Sequence, residues 1–150
     1  MNEISLLNKW IEDWFQAEEL VNTVSIVPTI EMDLNKENIY PLVNIDFTDS
    51  DIQEQIIVAS FKITVVNQRE VRAIKTDSKL LENTNYIDNI NETHSICEHF
   101  INNLTHQHNE AAADIDSISR LTTLKNWGRS GCDGFQFTID ISIPNKGKSC

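Results

Sequence analysis

Phe135, Phe137, Ile139, Ile141 and Ile143 alternate without a miss against Gln136, Thr138, Asp140 and Ser142. A period of two predicts a β-strand with one face in a core and the other outside it. Three of the chain's four glycines stand in the turn that enters this strand, where they can take positive φ, and Pro144 closes it. Near the start of the chain the period is helical instead. Over residues 3–20, Ile4, Leu7, Ile11, Trp14 and Phe15 form one stripe. Leu6, Trp10 and Ala17 widen it to about half the circumference, beyond the ~100° stripe of an ordinary surface helix. One side of such an arc can cover a sheet while the other meets something else, or both sides can be core.

Three strands are predicted between this helix and the next. Residues 23–34 alternate through Val24, Ile26, Ile30 and Met32, with Pro28 marking an edge or bulge. Residues 40–47 and 55–66 alternate again, and the polar DFTDSD between them reads as the loop of a hairpin. A second helix is predicted over residues 85–104, capped by Thr84 or Asn85, with Ile87, Ile90, His94, Cys97, Ile101 and Leu104 along one face. HQHNEAAADIDS follows as a polar connection, then a fourth strand over residues 118–126. The expected order is α-β-β-β-α-β-β. This is an α+β fold in one domain spanning 1–150, an antiparallel sheet of about five strands with two helices packed on one face.

One connection stands out. Residues 67–83, NQREVRAIKTDSKLLEN, hold Arg69, Arg72, Lys75 and Lys79, a third of the chain's 12 basic residues. They also hold Val71, Ile74, Leu80 and Leu81, too many apolar residues for a solvated linker. A connection this long in a compact domain is more often functional than idle. It is expected to order against a neighbouring molecule.

Charge narrows the function classes. The formal net charge is −11, and residues 1–60 carry 12 of the 23 acidic residues against two basic ones. A nucleic-acid-gripping surface requires basic patches that displace counterions, so the chain is not built for that task. An acidic surface serves solubility, and it also suits a channel past which DNA slides without sticking. No apolar run approaches the ~20 residues of a membrane span and no signal-peptide core opens the chain, so cytosolic synthesis is expected. Three widely spaced cysteines without a CxxC fit a reducing compartment better than a disulfide framework.

The strongest catalytic or metal candidates are His94, Cys97 and His99 with His106 and His108. On a helix His94 and Cys97 share the apolar face while His99 points nearly opposite, so the set splits, whereas zinc needs about four converging ligands. A core Cys97 beside a partly buried His94 is expected. Asp46, Asp49, Asp51 and Glu54 lack the glycine and terminal glutamate of a calcium loop and read as a solvated turn. Cys132, in its glycine turn, is expected to be the more exposed thiol. GxxxxGK[ST], GxGxxG and HExxH are all absent from the sequence. No enzymatic chemistry and no cofactor is expected.

The element order carries a resemblance. A leading amphipathic helix is followed by IYPLVNIDF, a strand hairpin with a long connection, a second helix containing ICEHFINNL, and a glycine turn into GFQFTIDISI. Together these resemble phage tail terminator (tail completion, head–tail joining) proteins, in which an aromatic residue after glycine commonly enters the terminal strand, here Gly134-Phe135. The resemblance implies a ring of six or twelve copies around the DNA channel, docked to portal, adaptor or tail proteins. It implies localisation in the virion's tail or neck after assembly in the bacterial cytoplasm. DNA would pass through without sequence-specific binding, and neither membrane nor cofactor would be involved. Trp10 and Trp14 on the first helix, with Arg69, Arg72 and Lys75 in the connection, are the implied subunit contacts. The rival class is an acidic binding module, of inhibitor or immunity type, that caps a basic partner as a monomer or dimer.

Overall fold

A computed structural model describes residues 3–34, 39–70, 85–106, 114–128 and 131–145 of the chain. Its elements are α1 (Glu3–Ala17), β1 (Thr23–Ser25), β2 (Leu42–Ile52), β3 (Ile56–Gln68), α2 (Tyr86–His106), β4 (Asp114–Ile118), β5 (Thr122–Trp127) and β6 (Cys132–Pro144), with a 3-10 helix at Thr29–Leu34 before β2. The fold is mixed, with two helices and a six-stranded, mostly antiparallel sheet. The order along the sheet is β1-β2-β3-β6-β4, and β5 also pairs with β6.

The alternating run at the chain's end forms the middle of the sheet. β6 pairs with β3 along thirteen residues, from Cys132 opposite Gln68 to Pro144 opposite Ile56. Phe135, Phe137, Ile139, Ile141 and Ile143 face Val65, Ile63, Phe61, Ala59 and Ile57, so both strands present their apolar residues to one side. β2 adds Val43 and Ile45 to that side. The same core cluster takes Leu7, Ile11 and Phe15 from α1 and Ile96, Cys97, Phe100 and Leu104 from α2. Phe15 and Phe100 stack with ring centroids 4.4 Å apart, joining the two helices over the sheet.

The opposite side of the sheet holds a smaller apolar row. Leu42, Val66 and Leu124 are in register around Gly134, with Cys132 completing the cluster. Gly134 is required by the packing of the backbone itself. A Cβ there would stand 1.9 Å from the Val65 carbonyl oxygen, far inside contact distance.

Several expectations are corrected. The predicted strand over residues 23–34 pairs only from Thr23 to Ser25, and it runs parallel to β2. Beyond Ser25, side chains replace the ladder. Asn44 accepts from Ser25 Oγ and the Val27 N–H and donates to the Val27 carbonyl, while Asp46 accepts from the N–H and hydroxyl of Thr29. Pro28 then opens the 3-10 turn, its carbonyl accepting from the Glu31 N–H. The polar DFTDSD is no loop. β2 continues through it to Ile52, with a bulge between Phe47 and Asp49, and the hairpin turns at residues 53–55.

The predicted fourth strand corresponds to β5, and an additional strand precedes it, so among the described residues the sheet has six strands rather than five and the order gains a β. β4 begins at Asp114, inside the expected polar connection, and ends at Ile118. Ser119 donates its N–H to the Thr138 carbonyl while its Oγ accepts the Thr138 N–H in place of a strand carbonyl, and residues 120–121 then leave the ladder. Asn85 does precede α2, but its side-chain oxygen accepts from the Glu70 N–H.

Candidate functional site

The charged group with the most structural weight is Asp133, whose side chain is fully buried. It lies at the start of β6, where that strand meets the end of β3, the beginning of α2 and the end of β5. Arg69 grips it with both arms: Nε donates to Oδ2 at 3.0 Å and Nη2 to Oδ1 at 2.6 Å. The Asn126 N–H donates to Oδ1 at 2.9 Å and the Asn89 amide approaches Oδ2 at 3.4 Å. Burial by itself would raise the Asp133 carboxyl. The hydrogen bonds from Arg69, Asn126 and Asn89, with the arginine's charge, hold it below the ordinary carboxylate range. The guanidinium also lies 5.1 Å above the Tyr86 ring. This junction pins the base of the long connection, because Glu70 donates its N–H to Asn85 Oδ1 at 2.6 Å and Asn85 returns its own N–H to Glu70 at 3.2 Å.

A second feature is the sheet's helix-free side toward the β2–β3 turn. The residues in register there are Asp46 with Lys62 and Thr138, then Asp49 with Ser60, Asp140 and Ser117, then Asp51 with Val58, Ser142 and Asp114. Asp140 accepts from both Ser60 Oγ and Ser117 Oγ, and Asp116 accepts from Ser142 Oγ. Among the described residues of this region, Lys62 is the single basic side chain against six aspartates. Beside it runs the outer edge of β2. β1 covers only Leu42, Val43 and Asn44, and among the described residues no strand pairs with that edge farther on. Between α1 and this edge runs a groove of about 390 Å³ lined by Ile4, Ser5, Asn8, Lys9, Glu12, Ile26, Ile45 and Phe47.

The contact residues anticipated from sequence fall into different places. Trp10 and Trp14 pack half-buried against the core, and the Trp14 ring meets Phe100 edge-on at 5.0 Å. The arc of α1 is therefore graded: Leu7, Ile11 and Phe15 are buried, Ile4, Trp10 and Trp14 flank them, and Leu6 and Ala17 are exposed. Arg69 spends its charge on Asp133 within the same chain. Arg72 and Lys75, with most of the long connection, lie outside the described residues.

The chemical candidates disperse. Cys97 is buried and its thiol is pushed up to about 12 by that burial, too high for a nucleophile at neutral pH. His94 is exposed rather than partly buried, its Nδ1 3.8 Å from Glu98, while His99 turns toward Glu18 at 3.6 Å. His108 lies outside the described residues. Among the described residues no three histidine, cysteine, aspartate or glutamate side chains are grouped to hold a metal. Cys132, expected to be the exposed thiol, is buried among Leu42, Val66 and Leu124, because the strand begins at the cysteine itself and not after the glycines. The described helices include none long and apolar enough to cross a membrane.

The burial of Asp133 is not legible in the sequence. Its only signal was an aspartate within a glycine turn, a position where exposure is the ordinary expectation. Comparison of the chain with protein-family models and with curated proteins gave no match.

Proposed function

We propose that the chain is a structural virion protein, the repeating subunit of a ring at the tail or neck of a bacteriophage, closing the tail or joining it to the head around the DNA channel. The observation that carries this reading is the division of its surface. One side of the sheet takes both helices. The other side is rich in aspartate near the hairpin, and Ile26, Phe47 and Ile52 are exposed beside the outer flank of β2. Exposed apolar residues beside a strand edge that is unpaired among the described residues suit contact with further protein copies. An aspartate-rich surface suits a bore through which a polyanion must slide. In this reading the chain performs no catalysis, needs no cofactor, and meets portal, adaptor or tail proteins through the ring's two faces. The ring is assembled in the cytoplasm of the host.

Mass measurement in solution and negative-stain imaging test the proposal. Closed rings of six or twelve copies are the expected result, and a chain that stays monomeric up to the highest attainable concentration would sink it. The aspartates around Asp140 favour one other reading, an acidic module that caps a basic partner. That module would be monomeric or dimeric, so the same measurement separates the two.

A further inference from the structure

Asp133 and Gly134 form the chain's single Asp-Gly pair, and Asn-Gly does not occur in it. Among dipeptides that begin with aspartate, this one closes readily into a cyclic imide, because glycine puts no side chain in the path of its own nitrogen. The fold nevertheless demands both residues. Asp133 is the buried partner of Arg69, and a Cβ at Gly134 would stand 1.9 Å from the Val65 carbonyl oxygen. A chemically labile pair therefore stands where β6 enters the sheet.

The folded junction opposes closure in two ways. Closure needs a neutral carboxyl whose oxygen can leave as water. Arg69 and the Asn126 N–H instead hold the group as a carboxylate, with the Asn89 amide beside Oδ2. Closure also needs the Gly134 nitrogen to reach Asp133 Cγ, so the Asp133 backbone must leave its extended form. Asp133 is fixed opposite Asn67, and Gly134 opposite both Val66 of β3 and Leu124 of β5. We propose that Asp133–Gly134 is a site of isoaspartate formation that the Arg69 junction silences in the folded chain, so that a chain left unfolded is altered there and loses its route back to the fold.

The reaction needs no reagent beyond water. The Gly134 nitrogen forms a bond to Asp133 Cγ, the carboxyl hydroxyl breaks away, and the amide proton leaves with it as water. A second water then opens the imide. Cleavage at Cγ restores aspartate, whereas cleavage at the Asp133 backbone carbonyl routes the chain through the former side chain. That product has the mass of the original, but its backbone is one methylene longer and its free carboxylate stands on Cα. The extra methylene falls at the second residue of the β6 ladder, and Arg69 no longer meets the two oxygens it grips. Both changes oppose refolding. Nothing in this inference depends on whether the chain forms a ring.

The full-length chain, kept at neutral pH either folded in buffer or unfolded in guanidinium chloride, tests the proposal. Isoaspartate at residue 133 is read by peptide mapping, since the altered peptide keeps its mass but elutes apart. It should accumulate in the unfolded chain and form at least about a hundredfold more slowly in the folded one. Under folding conditions Arg69→Met should form it about tenfold faster than Phe137→Ala, a core change at least as destabilising that leaves the junction in place. On dilution from guanidinium, isoaspartate should be depleted from the chains that refold. Equal rates in the folded and unfolded chain, an Arg69→Met no faster than Phe137→Ala, or equal isoaspartate in refolded and unrefolded chains would each overturn the proposal. The comparison of folded with unfolded chain uses no variant, so it decides the matter even if Arg69→Met does not fold.

Discussion

Replacing Arg69 by Met leaves Asp133 buried without its cation. The lost interactions are two charge-assisted hydrogen bonds at 3.0 and 2.6 Å. Breaking a fully buried pair costs about 3–5 kcal/mol. Here Asp133 keeps the Asn126 N–H and Asn89, so a destabilisation of about 2–4 kcal/mol is expected. Asp133→Asn is the milder change, about 1–2 kcal/mol, because the Arg69 side chain is 26% exposed and can turn to water.

The pH dependence distinguishes this account from a simple loss of packing. In the unaltered protein the folded state holds the Asp133 carboxyl below its ordinary value. Its contribution to stability is then complete above the unfolded pKa of ~3.9 and is lost as pH falls through the lower folded value. In Arg69→Met the opposing effect of burial prevails and the carboxyl rises. That variant is penalised at neutral pH and recovers on acidification, so the stability gap to the unaltered protein should narrow between pH ~7 and ~4. Urea denaturation across that range measures it. A gap that stays constant with pH, or an Arg69→Met no worse than Asp133→Asn, would refute the assignment of Arg69 to the fold.

Phe137 is 2% exposed at the centre of β6, so Phe137→Ala should cost about 3–5 kcal/mol by thermal or urea unfolding. Asp140→Asn, on the opposite side, should cost less than ~1 kcal/mol because it loses only charge at two serine hydroxyls. Gly134→Ala should destabilise by ~3 kcal/mol or more, since the new methyl meets the Val65 carbonyl and β3 and β6 must separate to admit it. A melting temperature close to that of the unaltered protein would show that this ladder is looser than described. Trp10→Ala removes a half-buried side chain, so it should cost roughly half of what Phe137→Ala costs while lowering particle mass. If Trp10→Ala unfolds the chain as severely as Phe137→Ala, α1 is ordinary core and lends nothing to assembly.

Both helices and the long terminal strand were legible in the residue pattern. Their cause is local: a core on one side imposes a period of two or of 3.6, and Phe135 to Ile143 or Leu7, Ile11 and Phe15 satisfy it on their own. The strands at the sheet's margins were not legible. Residues 48–51 are polar because they line a rim that no other described strand covers, and no periodicity marks a strand whose neither face is fully covered. In residues 23–34 the apolar alternation was genuine. The side chains of Asn44 and Asp46 nevertheless captured the backbone that a ladder would have used, and those partners lie 17 residues away for Val27 and Thr29.

Asp133 shows the same limit most clearly. By composition it belongs to a solvated glycine turn, and the arginine that permits its burial stands 64 residues earlier. The sequence by itself determined the two helices, the apolar face of the sheet and the acidic balance of the chain, because each follows from a residue's own neighbours. Only the tertiary structure decided that Asp133 is buried, that Cys132 is enclosed, and that no other described strand pairs with the edge of β2 beyond Asn44. Each of those depends on which distant segment arrives to supply a charge, an apolar wall or a neighbouring strand.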